Sequence, residues 1–182
     1  MKNKIKATLV GGATAAAIAA ALSGAGSANA SCASLNGHSI GAGCTSSVGS
    51  ASVALGTNAK ADSGGPGSLA VAVGNPGYNP FYRTNLPTHS VANGINNVSL
   101  AFGDGSNAGT LGHGNTALVL GNGSNAFSYG GNTNTTPAIP LPGRGNTSVT
   151  LAHGSEAGAV GDHKVSTAFS NGKQRKNNGL GG

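Results

Sequence analysis

Ser99-Leu100-Ala101-Phe102-Gly103-Asp104-Gly105-Ser106-Asn107-Ala108 is answered eighteen residues later by Ala117-Leu118-Val119-Leu120-Gly121-Asn122-Gly123-Ser124-Asn125-Ala126. Both copies are a short apolar run, a Gly-rich cluster and a Ser-Asn-Ala close. Three more runs share the opening: Ser52-Val53-Ala54-Leu55-Gly56, Ala70-Val71-Ala72-Val73-Gly74 and Ser148-Val149-Thr150-Leu151-Ala152. Ser166-Thr167-Ala168-Phe169-Ser170 is a degenerate sixth. The runs end at 56, 74, 103, 121, 152 and 170, with spacings of 18, 29, 18, 31 and 18. The units therefore fall into three pairs. Repetition at a fixed short period indicates stacked structural units, each too small to bury its own apolar face.

Side chains within a run alternate with period two, as they do in a strand. Val98, Leu100 and Phe102 share one face, and Ser99 and Ala101 share the other. The small-residue face is expected to allow close packing against neighbouring chains. Gly, Asn and Asp after each run supply turns, because these residues tolerate positive φ. A second strand follows, as in Ala108-Gly109-Thr110-Leu111-Gly112, Ala126-Phe127-Ser128-Tyr129-Gly130 and Ala157-Gly158-Ala159-Val160-Gly161. Ala59-Lys60-Ala61-Asp62-Ser63-Gly64 is a looser copy. Each unit thus reads as strand, turn, strand, turn. The expected fold is all-β, a parallel β-solenoid or β-roll of about six short coils in three pairs, spanning residues 48–172. At ~4.8 Å per coil it would be about 29 Å long.

Composition weighs against the alternative of a disordered chain. The 182 residues include 33 Gly and 7 Pro, and only 8% are charged. Disorder needs high net charge as well as few large apolar residues. Formal net charge is +6, and it falls to +3 once Lys2, Lys4 and Lys6 are set aside. Those lysines open a positive segment, Ala7 to Leu22 is nearly all apolar, and Ala28-Asn29-Ala30 fits an A-x-A cleavage site. Residues 1–30 therefore read as a secretory signal peptide cut between Ala30 and Ser31. The remaining chain holds no transmembrane segment, and its mild basicity gives no case for nucleic acid. Cys32 and Cys44, an even pair in an exported chain, are expected to form a disulfide that makes residues 31–47 an N-terminal cap. Lipidation of Cys32 is the alternative.

The runs S-V-A-L-G-T-N-A-K-A and A-L-V-L-G-N-G-S-N-A resemble the head repeats of YadA-type trimeric autotransporter adhesins. The likeness covers residues 48–172 as a pattern. It implies left-handed β-rolls, three chains packed side by side and binding to host or surface ligands. The repeat here is longer and interrupted, and the chain lacks that family's coiled-coil stalk and membrane barrel. The whole-chain plan also resembles small secreted proteins of mycobacteria and their relatives.

Both long spacings read as insertions, at 75–96 and 131–146, and solenoid insertions tend to gather on one face. The first carries Tyr78, Phe81 and Tyr82, three of the seven aromatics after residue 30. They either cover an open flank or contact a ligand. Residues 173–182, with Lys173, Arg175 and Lys176, read as a flexible basic tail. Gly37-His38-Ser39-Ile40-Gly41 matches the hydrolase elbow G-x-S-x-G, which needs a strand before it and a helix after it. Gly103 to Ala108 and Gly121 to Ala126 fit the dinucleotide fingerprint, but no helical pattern follows either, so repetition explains both as turns. The five histidines show no metal-ligand spacing. Asp62, Asp104, Glu156 and Asp162 are the only acids, too few for carboxylate-rich calcium sites. No catalytic residue, metal or cofactor is expected.

The function expected is that of a secreted or cell-surface structural or adhesive protein without catalysis, with a homotrimer and a cell-surface or glycan ligand as partners. A glycan-binding module using residues 75–96 is the alternative, and a secreted serine hydrolase a remote one. Mass spectrometry of the exported chain should place its first residue at Ser31.

Overall fold

The computed structural model describes residues 31–129, 144–169, 171–172 and 174–178. Residues 1–30, read above as a signal peptide, and most of the 131–146 insertion lie outside the described residues. The described chain is all-β, with 59% strand and no helix. Its strands are β1 (Ser31–Leu35), β2 (His38–Ile40), β3 (Cys44–Ser46), β4 (Ala51–Leu55), β5 (Lys60–Gly64), β6 (Leu69–Val73), β7 (Gly77–Asn79), β8 (Thr84–Leu86), β9 (His89–Ile95), β10 (Val98–Phe102), β11 (Asn107–His113), β12 (Thr116–Leu120), β13 (Asn125–Tyr129), β14 (Thr147–Thr150), β15 (Glu156–Val160), β16 (Val165–Ala168) and β17 (Gln174–Asn178).

Two sheets hold all but the β7–β8 hairpin, and apart from β1 and β2 their strands pair in parallel. The six apolar runs form the first sheet, ordered β4, β6, β10, β12, β14, β16. The intervening segments form the second, ordered β3, β5, β9, β11, β13, β15, β17. From β3 onward, the β7–β8 hairpin aside, successive strands alternate between the two sheets, so each eighteen-residue unit lays one strand in each. Register follows the sequence repeat. Val53, Val71, Leu100, Leu118, Val149 and Thr167 are successive partners across the first sheet. The interrupted spacings leave this pairing intact, since β6 pairs with β10 and β12 with β14 in the register of the uninterrupted units.

The two faces of each run are placed contrary to expectation. Ser99 and Ala101 are fully buried between the sheets, and Val98, Leu100 and Phe102 are half-exposed outside. β4 and β6 have the same alternation. Ser52, Ala54, Ala70, Ala72, Ala117, Ser148 and Thr150 all point inward at 0% exposure. Val119 is the one large aliphatic fully buried among the described residues. The small-residue face therefore packs on the chain's own second sheet and is closed to neighbours. Five-residue strands joined by four-residue corners enclose a space too thin for larger side chains.

Serine hydroxyls span that space. Ser90 on β9 donates to the carbonyl of Ser99 on β10 at 2.6 Å and to its hydroxyl at 2.9 Å. Ser128 donates to the Thr116 carbonyl at 2.6 Å, and Ser148 to the Ala157 carbonyl at 2.8 Å. Thr150 reaches the Asn125 carbonyl at 2.8 Å. A buried hydroxyl without a partner would cost free energy, so the close approach of the sheets is what makes serine acceptable inside.

The N-terminal end is closed differently. β1 runs antiparallel to β4, and β2 antiparallel to β1. The Cys32–Cys44 disulfide joins β1 in the first sheet to β3 in the second, with both cysteines buried. A crosslink closing so short a loop contributes about 3 kcal/mol in the loop-entropy description.

Two boundaries move. Residues 89–95 of the first insertion are strand β9, paired with β5 and β11, so the excursion itself is 75–88. It leaves between β6 and β9, on the passage from the first sheet to the second. The second insertion leaves between β13 and β14, on the return passage, so the two emerge at opposite corners. Gln174–Asn178, expected in a frayed tail, instead pairs with β15 as strand β17, because the edge of β15 offers unpaired backbone groups.

Ala101→Leu should destabilise the protein by about 1–3 kcal/mol, since nothing between the sheets can yield to the added volume. Urea denaturation followed by circular dichroism measures the difference.

Candidate functional site

The corners between strands hold the motifs that mimic a nucleotide site. The second residue of each Gly-rich cluster accepts a hydrogen bond from the backbone of the preceding unit. Thr57 N–H donates to Asn75 Oδ1 at 3.0 Å, Asn75 N–H to Asp104 Oδ1 at 2.7 Å, and Asp104 N–H to Asn122 Oδ1 at 3.0 Å. Asn122 N–H continues to His153 Nδ1, and His153 N–H to Asn171 Oδ1, both at 3.1 Å. Gly103-Asp104-Gly105 and Gly121-Asn122-Gly123 are therefore rungs of a ladder between units. At Gly56, where φ is +126°, a Cβ would collide with the carbonyl of Gly74 in the next unit. The opposite corner has a buried ladder of its own. Asn115 N–H donates to Asn97 Oδ1 at 2.8 Å, Asn146 N–H to Asn115 Oδ1 at 2.9 Å, and Lys164 N–H to Asn146 Oδ1 at 2.9 Å.

The β7–β8 hairpin folds over the first of these corner lines. Asn79 is fully buried, and its Nδ2 donates to the Gly105 carbonyl at 3.0 Å and to Asn125 Oδ1 at 3.1 Å. Its Oδ1 accepts from Phe81 N–H at 3.1 Å. Pro80 lies over Gly123 and Gly154. This anchoring separates the three aromatics of the insertion. Phe81 is half-buried, whereas Tyr78 and Tyr82 are 60% and 54% exposed.

Tyr82 and Leu86 form one wall of a cleft of about 380 Å³ on the outer face of the second sheet. The sheet contributes His89, Leu111, Phe127 and Tyr129 to the rest of the lining. Phe127 and Tyr129 lie two residues apart on β13, with ring centroids 5.8 Å apart and planes within 11°. Both lean toward Gly109 on β11, the partner of Phe127 in register. A Cβ on Gly109 would sit 3.1 Å from Phe127 Cδ1 and 3.4 Å from Tyr129 Oη. His89 Nε2 lies 3.1 Å from Asp62 Oδ2, and Asp62 Oδ1 accepts from Thr45 at 2.6 Å. Tyr78 and Phe81 are outside the cleft.

Only Tyr82 of this cleft belongs to the expected contact residues. Phe127, Tyr129 and Gly109 have a signal in the repeat itself. The outward positions of β13 carry two aromatics where β11 has Gly109 and Leu111 and β15 has Gly158 and Val160.

Ser39 of the G-x-S-x-G stretch lies in β2, with its hydroxyl donated to Ser34 Oγ at 2.9 Å and no helix after it among the described residues. No group of three or more His, Cys, Asp and Glu is placed to hold a metal among the described residues. Comparison with protein-family models, curated proteins and solved structures finds no match to this chain.

Burial lifts the Tyr129 hydroxyl above its ordinary pKa of 10.0, and Tyr82 and Glu156 push it the same way. Above pH ~10 the folded chain then keeps a proton that the unfolded chain loses, so stability falls as pH rises. The urea midpoint should drop between about pH 9 and 11, and less steeply in Tyr129→Phe.

Proposed function

We propose that this chain is an exported β-solenoid scaffold with a structural or adhesive role, acting through its surfaces and not through catalysis, and that it associates with copies of itself through the first sheet. The single observation carrying the self-association is the outward placement of the large aliphatics. Leu69, Val71, Val73, Val98, Leu100, Phe102 and Leu118 stand on one flat outer face. Leu120 and Val165 extend it at 46% and 58% exposure. Parallel sheets are almost always covered on both faces, and here the described residues cover only one. Contiguous apolar surface of this kind marks an interaction site.

The alternation of strands between the two sheets, with one unit per eighteen residues, supports the solenoid reading. The resemblance to YadA-type heads supplies the number three, since those heads pack three chains side by side. Export is supported by the N-terminal signal pattern and by the Cys32–Cys44 disulfide, a bond that persists in oxidising surroundings. No helix among the described residues is long and apolar enough to cross a membrane. The adhesive role follows from the same resemblance, with a component of a cell surface as the partner.

Light scattering coupled to size-exclusion chromatography tests the reading. The purified exported chain should have three times the monomer mass. Leu100→Glu with Leu118→Glu should reduce it to a monomer with an unchanged circular dichroism spectrum, because both residues point outward. A single-chain mass for the unaltered protein at micromolar concentration would overturn self-association.

A further inference from the structure

The cleft on the second sheet lies on the other side of the molecule from the apolar face, and its chemistry is different. Tyr82, Phe127 and Tyr129 provide ring faces, Asn93 and Asn107 provide amides, and His89 provides an imidazole. Among the described residues no lysine, arginine, aspartate or glutamate lines it. We propose that this cleft is a binding site for a neutral saccharide.

Aromatic ring faces carry negative charge density, which attracts the weakly positive C–H groups on the flat side of a pyranose. Phe127 and Tyr129, nearly parallel and on one strand, present such surfaces together. Amides and phenols both donate and accept hydrogen bonds, which matches the dual character of sugar hydroxyls. The carboxylates nearest the cleft, Asp62 beside His89 and Glu156 near Tyr129, lie outside its lining, and an anionic ligand would be desolvated there with no lysine or arginine in the lining to meet it, at considerable cost. The cleft volume lies within the ~300–1,000 Å³ range usual for small-molecule sites, which suits a short saccharide.

Gly109 leaves the room for this arrangement. Its φ lies outside the left-handed region, so the backbone there accepts any residue. What glycine provides is the space into which Phe127 and Tyr129 lean. A side chain at 109 would lift both rings while leaving strand pairing intact. The hairpin fixes the opposite wall through Asn79, so Tyr82 is held over the sheet by a buried anchor. This places the saccharide on the sheet face beside the insertion, and makes Tyr82 alone of the insertion's aromatics a contact.

The protein has no tryptophan and three tyrosines, two of them at the cleft, so tyrosine fluorescence reports directly on occupancy. The purified protein is titrated with cellobiose, maltose, N,N′-diacetylchitobiose and galactobiose, and with sialyllactose and a heparin disaccharide as charged counterparts. At least one neutral probe should give saturable quenching. Gly109→Val and Tyr129→Ala should each weaken that binding by about tenfold or more. Tyr78→Ala, outside the cleft, should leave it within about twofold. Tyr82→Ala, on the exposed hairpin, gives the same reading should Gly109→Val fail to fold. Absence of saturation with every neutral probe, saturation by charged probes alone, or unchanged affinity in both Tyr129→Ala and Tyr82→Ala would overturn the proposal. Self-association is read separately by mass, so either proposal can fail without the other.

Discussion

The reach of a serine hydroxyl sets the dimensions of this molecule. Ser90, Ser128 and Ser148 each cross from one sheet to a backbone carbonyl of the other in a single hydrogen bond. Sheets packed face to face on ordinary apolar side chains stand about 10 Å apart. Here the filling is alanine, serine and threonine, and the sheets are bridged directly. Among the described residues, buried polar side chains even outnumber buried apolar ones, 21 to 18. Cohesion therefore depends on directional bonds more than on removal of apolar area from water, and it favours one register between the sheets.

That constraint displaces the large side chains to the outside. A chain with 28 large aliphatic and phenylalanine residues after position 30 does not have enough of them to fill a conventional core. It places most on outward positions, where they form an apolar sheet face on one side and part of a cleft on the other. Surface character thus follows from interior dimensions. The face built from Leu100 and Leu118 has the chemistry of a core without a cover, and the aromatics of β13 enrich the opposite face at one place.

Much of the architecture was legible because the repeat is local and its register is numerical. Eighteen-residue spacing aligned the run ending at Gly56 with that ending at Gly74, and the run ending at Gly103 with that ending at Gly121, before any pairing was seen, and the sheets keep that alignment. The pairing of Cys32 with Cys44 was legible from number and compartment. The direction in which each strand faces was not, because alternation of large and small side chains is symmetrical. Whether Leu100 or Ala101 points inward depends on the distance between sheets, a property of the whole coil. The cleft was only partly legible. Tyr82 stood out by composition, but Phe127 and Tyr129 matter through their relation to Gly109 one unit away. The end of the first insertion was misplaced because β9 has no apolar run: His89, Asn93 and Gly94 interrupt Val91, Ala92 and Ile95.

The corner ladders have a consequence for how such a chain can change over generations. Asp104 and Asn122 make equivalent bonds one unit apart, as do Asn97, Asn115 and Asn146 at the other corner. A duplicated or deleted stretch of eighteen residues would find its donors and acceptors already in place on both sides. Each such event would alter the length by about 4.8 Å and leave the disulfide cap untouched. Length is then an inherited quantity that varies in steps, like the graduations of a ruler, while the chemistry of each graduation stays the same.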